Sequence, residues 1–352
     1  MARENKKFVL AERPQADIIP GKTFRLEKEP APTADQLKDG QILVETLYLS
    51  LDPAMRGWLN DTRSYVPPVQ IGETMRAGTI ARVLASKNPN VKEGDLVSAM
   101  NGWTEVAIVD EKGFEKVEIP KNGRITDLLG PLGMTGMTAW VGLENIGKPK
   151  AGETVVVSGA AGATGSVVGQ ICKNRGARVV GIAGSDEKCK WLKEELGFDA
   201  ALNYKSPSFK QDFEAATPDL IDMYWDNVGG EILEMALNRA KFRARFVMCG
   251  SISGYNTPGK ESKGIRNLFN VVAHRIHMEG FIVFDFAQDY PRARQELANW
   301  LAEGKLKRKE TIVKGGLEQA EHAIIHLFEG KNTGKLLVEV KSPDEEVRGS
   351  KL

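Results

Sequence analysis

"TVVVSGAAGATGSVVGQICKNRGARVVGIAGSDEK", residues 154–188, decides the reading of this chain. It opens on an apolar, β-branched run of the kind buried on both faces of a parallel sheet. A glycine-rich turn follows, with Gly159, Gly162 and Gly165, and then "GSVVGQICKNRG", a helix pattern closed by Gly176. "ARVVGIAG" is the next strand, and "SDEKCKWLKEELG" a second helix with Ser185 as N-cap, acids in its first turn and Gly197 at its end. Strand, glycine turn, helix and strand in register form the setting in which a dinucleotide is cradled. The turn departs from the three-glycine fingerprint in one place, because Ala160 stands at the first glycine position. Gly162 lets the backbone approach a pyrophosphate, with Ala163 and Thr164 beside it, and Gly165 allows close helix packing. A helix starting near Ser166 would turn its free N–H groups and positive dipole end toward the phosphates.

The end of the second strand separates the two common dinucleotides. A site for NAD places a carboxylate about 20 residues beyond the glycines, where it holds the ribose hydroxyls. Here that position falls near Ala183, followed by Gly184 and Ser185. Lys188, one helical turn later, suits a 2′-phosphate, and Tyr204 of "LNYKS" suits a place beside it. The pattern therefore points to NADP. Asp186 and Glu187 are unfavourable neighbours for a phosphate unless they face solvent.

The same alternation continues through "LIDMYWDNVGG", "EILEMALNRAK", "ARFVMCGS", "GIRNLFNVVAHR", "IHMEGFIVFDF" and "PRARQELANWLAEGK". That succession predicts an α/β, doubly wound parallel sheet over residues 133–308. Residues 1–132 read instead as β-rich and irregular, and "NPNVKEGDLVSAMNGWTEVAIV" resembles a barrel-type hairpin with "KEGD" as its turn. "GLEQAEHAIIHLFEGKNTGKLLVEV" adds a helix and a strand. Residues 309–352 are expected to rejoin 1–132 in one discontinuous catalytic domain around the inserted nucleotide domain.

Charge is balanced, with 48 Lys plus Arg against 47 Asp plus Glu, which gives no electrostatic reason for a nucleic-acid or anionic-membrane partner. No apolar run approaches the roughly 20 residues of a membrane span, and the N-terminus lacks a secretory core. The three cysteines, Cys172, Cys189 and Cys249, are dispersed and odd in number, so a disulfide framework is not expected. Residues 1–171 contain neither Cys nor His, so no ligand set for a catalytic zinc is available there. His322 and His326 are spaced four apart, as helix neighbours, but "HAIIH" lacks the glutamate of a metalloprotease motif. No metal site is expected. The chain ends in Ser350, Lys351 and Leu352, which read as a peroxisomal address with the import receptor as partner. Without that import route, the cytoplasm is the expected compartment.

The motifs "LSLDPAMRGW", "YVPPVQIGETMRAGTI", "GPLGMTGMTAW", "GSDEKC", "NYK", "YWDNVGGEIL", "CGSISGYN", "MEGFIVFDF" and "GKNTGKLLVEV" occur in this order around the glycine turn. Together they resemble the zinc-independent medium-chain dehydrogenase/reductases of the prostaglandin reductase and alkenal double-bond reductase group, which includes leukotriene hydroxydehydrogenase-like enzymes. The resemblance runs over about residues 8–340. It implies a GroES-like, β-barrel-type catalytic domain, a Rossmann domain, a homodimer, and NADPH-dependent reduction of the C=C bond of α,β-unsaturated aldehydes and ketones. By motif, Gly162 to Gly165 would hold the pyrophosphate, and Lys188 and Tyr204 the adenosine phosphate. Asn227 and Asn332 would hydrogen-bond the cofactor. Cys249, Ser251, Ile252 and Tyr255 would line its nicotinamide half, and the Phe281, Ile282 and Val283 backbone would grip the carboxamide. Ala54 stands where many relatives carry Tyr, so the substrate pocket is expected to be wider.

Conjugate reduction needs a hydride at the β-carbon and a donor for the developing enolate oxygen. Tyr255, in a glycine-flanked loop after a strand, is the candidate donor, and Tyr65 of "SYVPP" a second donor or pocket wall. The proton for the α-carbon can come from solvent. Met55 and Arg56 are weighed as cleft residues, with Arg56 equally readable as an ion-pair partner. Cys172 and Cys249 read as packing residues. Quinone reduction with the same cofactor, and a low-turnover dinucleotide-binding protein responsive to redox state, are the competing readings.

Overall fold

The computed structural model describes residues 3–257 and 263–343; the terminal Ser350, Lys351 and Leu352 lie outside the described residues. From residue 154 the alternation folds into six strands: β1 (Thr154–Val157), β2 (Arg178–Ala183), β3 (Ala200–Asn203), β4 (Ile221–Asp226), β5 (Ala240–Met248) and β6 (His277–Gly280). All neighbouring pairs are parallel, in the order 3-2-1-4-5-6. That is the doubly wound dinucleotide-binding order, whose reversal falls between β1 and β4.

The apolar run of β1 is explained by its place at the sheet centre, because all four of its residues are buried. Val155 and Val157 pack with Val167, Val168 and Ile171 of helix α1 (Ala163–Asn174). Val156 points the other way, into a second core with Phe213 of α2 (Phe209–Ala216) and Leu233 and Leu237 of α3 (Gly230–Asn238). Alternate residues of one strand thus serve two cores, which is why the strand reads as continuously apolar. The helix Asp186–Glu194 is capped as its sequence predicts, with the Ser185 hydroxyl accepting from the Lys188 backbone N–H.

The chain divides into two compact units. One comprises Met1–Leu129, Thr311–Lys331 and Leu336–Leu352, the other Gly130–Glu310 with Asn332–Lys335. The first is built on the strand Ile42–Leu51, buried along its whole length and antiparallel to Thr79–Ser86, Val106–Val109 and Lys335–Glu339. The "KEGD" turn joins Thr79–Ser86 to Leu96–Ala99, and these two strands pair. Val106–Val109, at the end of the stretch read as that hairpin, pairs instead with Ile42–Leu51. The expected strand "IHMEGFIVFDF" also stops early, since a 3-10 helix occupies Val283–Asp289. No helix among the described residues is long and apolar enough to cross a membrane.

Candidate functional site

The glycine turn is set by its own backbone. Ser158 N–H donates to the Trp225 carbonyl on one side and Ala160 N–H to the Ile182 carbonyl on the other, so β4 and β2 hold the turn between them. Gly159 has φ +58, a left-handed conformation that favours glycine. Helix α1 starts at Ala163, three residues earlier than its sequence suggested, with Gly162 as an N-cap that has no side-chain hydrogen bond. Its first-turn N–H groups, those of Ala163, Thr164 and Gly165, belong to the set a helix cannot satisfy internally. Gly165 is required by contact: a Cβ there would overlap the Gly159 carbonyl oxygen. The close approach is between helix and turn, rather than helix and strand.

A late segment completes this turn. Gly334 N–H donates to the Ala161 carbonyl at 2.8 Å, Gly334 bridges Gly162 in parallel, and Lys335 N–H donates to the Lys309 carbonyl at 3.0 Å. A Cβ on Gly334 would overlap that same Lys309 carbonyl. Asn332 lies in this segment and donates from Nδ2 to the Gly334 carbonyl at 2.9 Å. "GKNTG" is therefore held beside the glycine turn, although some 170 residues of chain separate them.

The turns after β4 and β5 are laced together around Asp226, a buried residue that sequence reading did not single out. Its Oδ1 accepts from Ser158 Oγ (2.9 Å), Tyr224 OH (3.0 Å), Val228 N–H (3.0 Å) and Gly229 N–H (2.9 Å). Its backbone carbonyl accepts from the N–H groups of Cys249 and Gly250. Oδ2 is buried with no hydrogen-bond partner among the described residues, and burial pushes the carboxyl pKa up. Asn227 is engaged as well: Nδ2 donates to the Ser158 carbonyl (2.7 Å), and Oδ1 accepts from Trp225 Nε1 (3.1 Å). Ile252 N–H donates to the Asn227 carbonyl, and Ser253 N–H to that of Val228. The Tyr255 hydroxyl folds back to accept from Ser251 N–H at 3.2 Å, close against Gly250.

The far ends of β2 and β3 form a second group. Tyr204 is exposed and its hydroxyl stands 3.2 Å from where a Cβ of Gly184 would be. Lys188 is half-buried; burial, and then the positive charge of Lys205, depress its pKa, against a smaller opposing pull from Glu187. Lys205 Nζ lies 5.8 Å from the Tyr204 ring centroid. The residue at the end of β2, Ala183, is buried and carries no charge.

The remaining candidates are placed as follows. Phe281 stacks edge-on against Trp225 with centroids 5.7 Å apart; the Ile282 carbonyl accepts from Asp285 N–H and the Val283 carbonyl from Tyr290 OH. Tyr65 belongs to the other unit, is exposed, and accepts from Trp58 Nε1 at 2.8 Å. Arg56 feels the opposite charge of Asp17. It is buried and its guanidinium donates to the carbonyls of Ala16 and Pro14 and to Asn60 Oδ1. Met55 sits in the core. Burial pushes the thiols of Cys172 and Cys249 up to about 12, which leaves them inert as nucleophiles at neutral pH.

Two family models match: residues 6–117 the "N-terminal domain of oxidoreductase" and residues 163–299 "Zinc-binding dehydrogenase". The NADPH-dependent curcumin reductase of Escherichia coli is 40% identical, covering 97% of this chain and 99% of its own. The NADP-dependent 2-alkenal reductase of Nicotiana tabacum is 41% identical, covering 85% of this chain and 87% of its own. Identity of this order over nearly the whole length decides the relationship. The chain belongs to the zinc-independent medium-chain dehydrogenase/reductases. The crystal structure of CurA from Vibrio vulnificus in complex with NADPH superposes with a TM-score of 0.88, at 38% identity, over 96% of this chain and all of that one. The wording of the second family model does not extend to a metal here. No group of three or more His, Cys, Asp or Glu among the described residues could hold one, and the first 171 residues lack Cys and His altogether. The donors present do not fit zinc, and no step is routed through it.

Proposed function

We propose that this family member uses NADP(H) to reduce the C=C bond of α,β-unsaturated aldehydes and ketones. The observation that carries the cofactor is the end of β2. An uncharged Ala183 replaces the ribose-binding acid, and Lys188 and Lys205 gather positive charge beside Tyr204. A turn that a Cβ would fill at Gly165, leading into an uncapped helix, fits a pyrophosphate. The named activities of the curcumin and 2-alkenal reductases support the substrate class.

In this reading Gly162, Ala163, Thr164 and Gly165 hold the pyrophosphate, while Lys188 and Tyr204 hold the adenosine phosphate. Asn227, Asn332, Cys249, Ser251, Ile252 and the Phe281, Ile282 and Val283 backbone take the rest. The bound cofactor supplies hydride to the β-carbon of the substrate. Tyr255 donates its hydroxyl proton as a hydrogen bond to the developing enolate oxygen. Its own oxygen accepts from Ser251 N–H, which fixes the phenol and favours its role as a donor.

NADPH consumption by purified protein tests the reading against a 2-alkenal, an aryl enone, a quinone and a saturated aldehyde, with NADH as control. Turnover of alkenal or enone with NADPH, sparing the saturated aldehyde, is the expected result. Tyr255→Phe should lower kcat about a hundredfold with little change in KM for NADPH. Turnover of the quinone alone would move the assignment to quinone reduction, and NADPH binding without turnover to a binding protein.

We further propose that the chain works as a homodimer. β6 is an edge strand, and Phe242, Leu268, Phe269 and Val272 are exposed large apolar residues on the segments leading to it. Sedimentation velocity should show twice the chain mass of 38.6 kDa, and a lone 38.6 kDa species would refute the dimer.

A further inference from the structure

Asp186 is an awkward residue for the site just proposed. It is the first residue of the helix Asp186–Glu194, two positions before Lys188, and exposed. A carboxylate so placed repels a 2′-phosphate bound at this end of the sheet. Its surroundings answer the difficulty. Asn203, the last residue of β3, lies opposite Ala183, the last residue of β2. Its Nδ2 donates to Asp186 Oδ1 at 2.8 Å, and its Oδ1 accepts from Lys205 N–H at 3.0 Å. One amide side chain therefore occupies the acid and fixes the start of the segment that carries the second lysine.

We propose that Asn203 is a specificity-determining residue that ties back Asp186 and sets Lys205, so that this end of the sheet selects a ribose bearing a 2′-phosphate. The proposal rests on the NADP(H) reading and deepens it. Three parts of the geometry support it. Tyr204 lies over Gly184 and walls the group on one side. Lys205 Nζ stands over that ring, 5.8 Å from its centroid. Lys188 is half-buried and feels the charge of Lys205, so two like charges share one small region. A dianionic phosphate relieves that repulsion, whereas a free ribose hydroxyl does not. Asn203 acts through Asp186 and Lys205 and is a positioning residue, not a catalytic one.

Calorimetric binding of adenosine 2′,5′-bisphosphate and of ADP separates the possibilities without any turnover. The wild type should bind the bisphosphate more tightly than ADP. Asn203→Ala should weaken the bisphosphate about fivefold, the range of exposed charge interactions, and leave ADP within about twofold. The unchanged ADP affinity is the check that the variant is folded. Adding Asp186→Asn to Asn203→Ala should recover the part of the bisphosphate affinity lost to the freed carboxylate, leaving a deficit no larger than that of Lys205→Met. Lys205→Met should weaken the bisphosphate about threefold and spare ADP. Asn203→Ala behaving as wild type, or a double variant as weak as Asn203→Ala alone, would overturn the proposal while leaving the cofactor reading intact. Equal wild-type affinities for the two ligands would overturn the cofactor reading itself, and this inference with it.

Discussion

The loops after β1, β4 and β5 and the pair of ends at β2 and β3 face the same edge of one parallel sheet, yet they are built from different materials. Around Asp226 the atoms are buried, and one carboxylate oxygen gathers four donors from two chain segments. Around Lys188 the groups are half-buried or exposed, and their contacts are single hydrogen bonds and like charges. Buried hydrogen bonds are costly to leave unmade, so the first region has one geometry. Exposed charges interact weakly and individually, so the second can change its preference without disturbing the fold. On the proposed reading, the common core of the cofactor is held by the rigid part, and the choice between cofactors falls to the adjustable part.

Substitutions that treat the two regions alike would break this contrast. The largest effect is expected at Gly165→Ala, where the added Cβ overlaps the Gly159 carbonyl oxygen. It should cost about 2 kcal/mol of stability in urea unfolding and weaken NADPH and NADH by similar factors, more than tenfold each. Loss of one cofactor only would show that the turn also takes part in selection.

A smaller and more selective effect is expected at Lys188→Met: about tenfold weaker adenosine 2′,5′-bisphosphate, with ADP and the unfolding midpoint little changed. The pH dependence sharpens it. The Lys188 pKa is depressed below its ordinary value of 10.5, first by burial and then by Lys205, with Glu187 opposing. The charged form, which the phosphate needs, is present below that depressed pKa and lost above it. The wild-type preference for the bisphosphate should therefore decline in alkaline buffer before an ordinary lysine would titrate, and the residual preference of Lys188→Met should show no such decline. A wild-type preference that stays flat through that range would remove Lys188 from the phosphate site. The smallest effects in the series are those of Asn203 and Lys205, where a half-buried amide and an exposed lysine change.

What could be read from the chain follows from the range of the interactions involved. The strand, turn and helix of 154–188 were legible because apolar periodicity, an N-cap and glycine stops are local signals. Ser185 capping Lys188 is an example, since cap and partner are three residues apart. The missing acid at Ala183 was legible for the same reason. Asn203 and Asp186 are 17 residues apart and meet only because β3 lies beside β2 in a particular register. Asp226 was invisible because nothing in "YWDNVGG" shows that Ser158 will return to it from 68 residues away. The hydrogen bonds of Arg56 to Ala16 and Pro14 were not legible, because their acceptors are backbone carbonyls, which no side-chain pattern announces.

The sequence by itself determined the doubly wound α/β class, the glycine turn, the absence of a zinc ligand set in its first 171 residues, and the family. Tertiary structure alone decided how "GKNTG" reaches the glycine turn through Gly334, which carboxyl ties the loops, and how an acid beside Lys188 is held by Asn203. The physical reason is common to all three. Local patterns encode backbone conformation, whereas the partner of a polar side chain is fixed only when distant strands come into register.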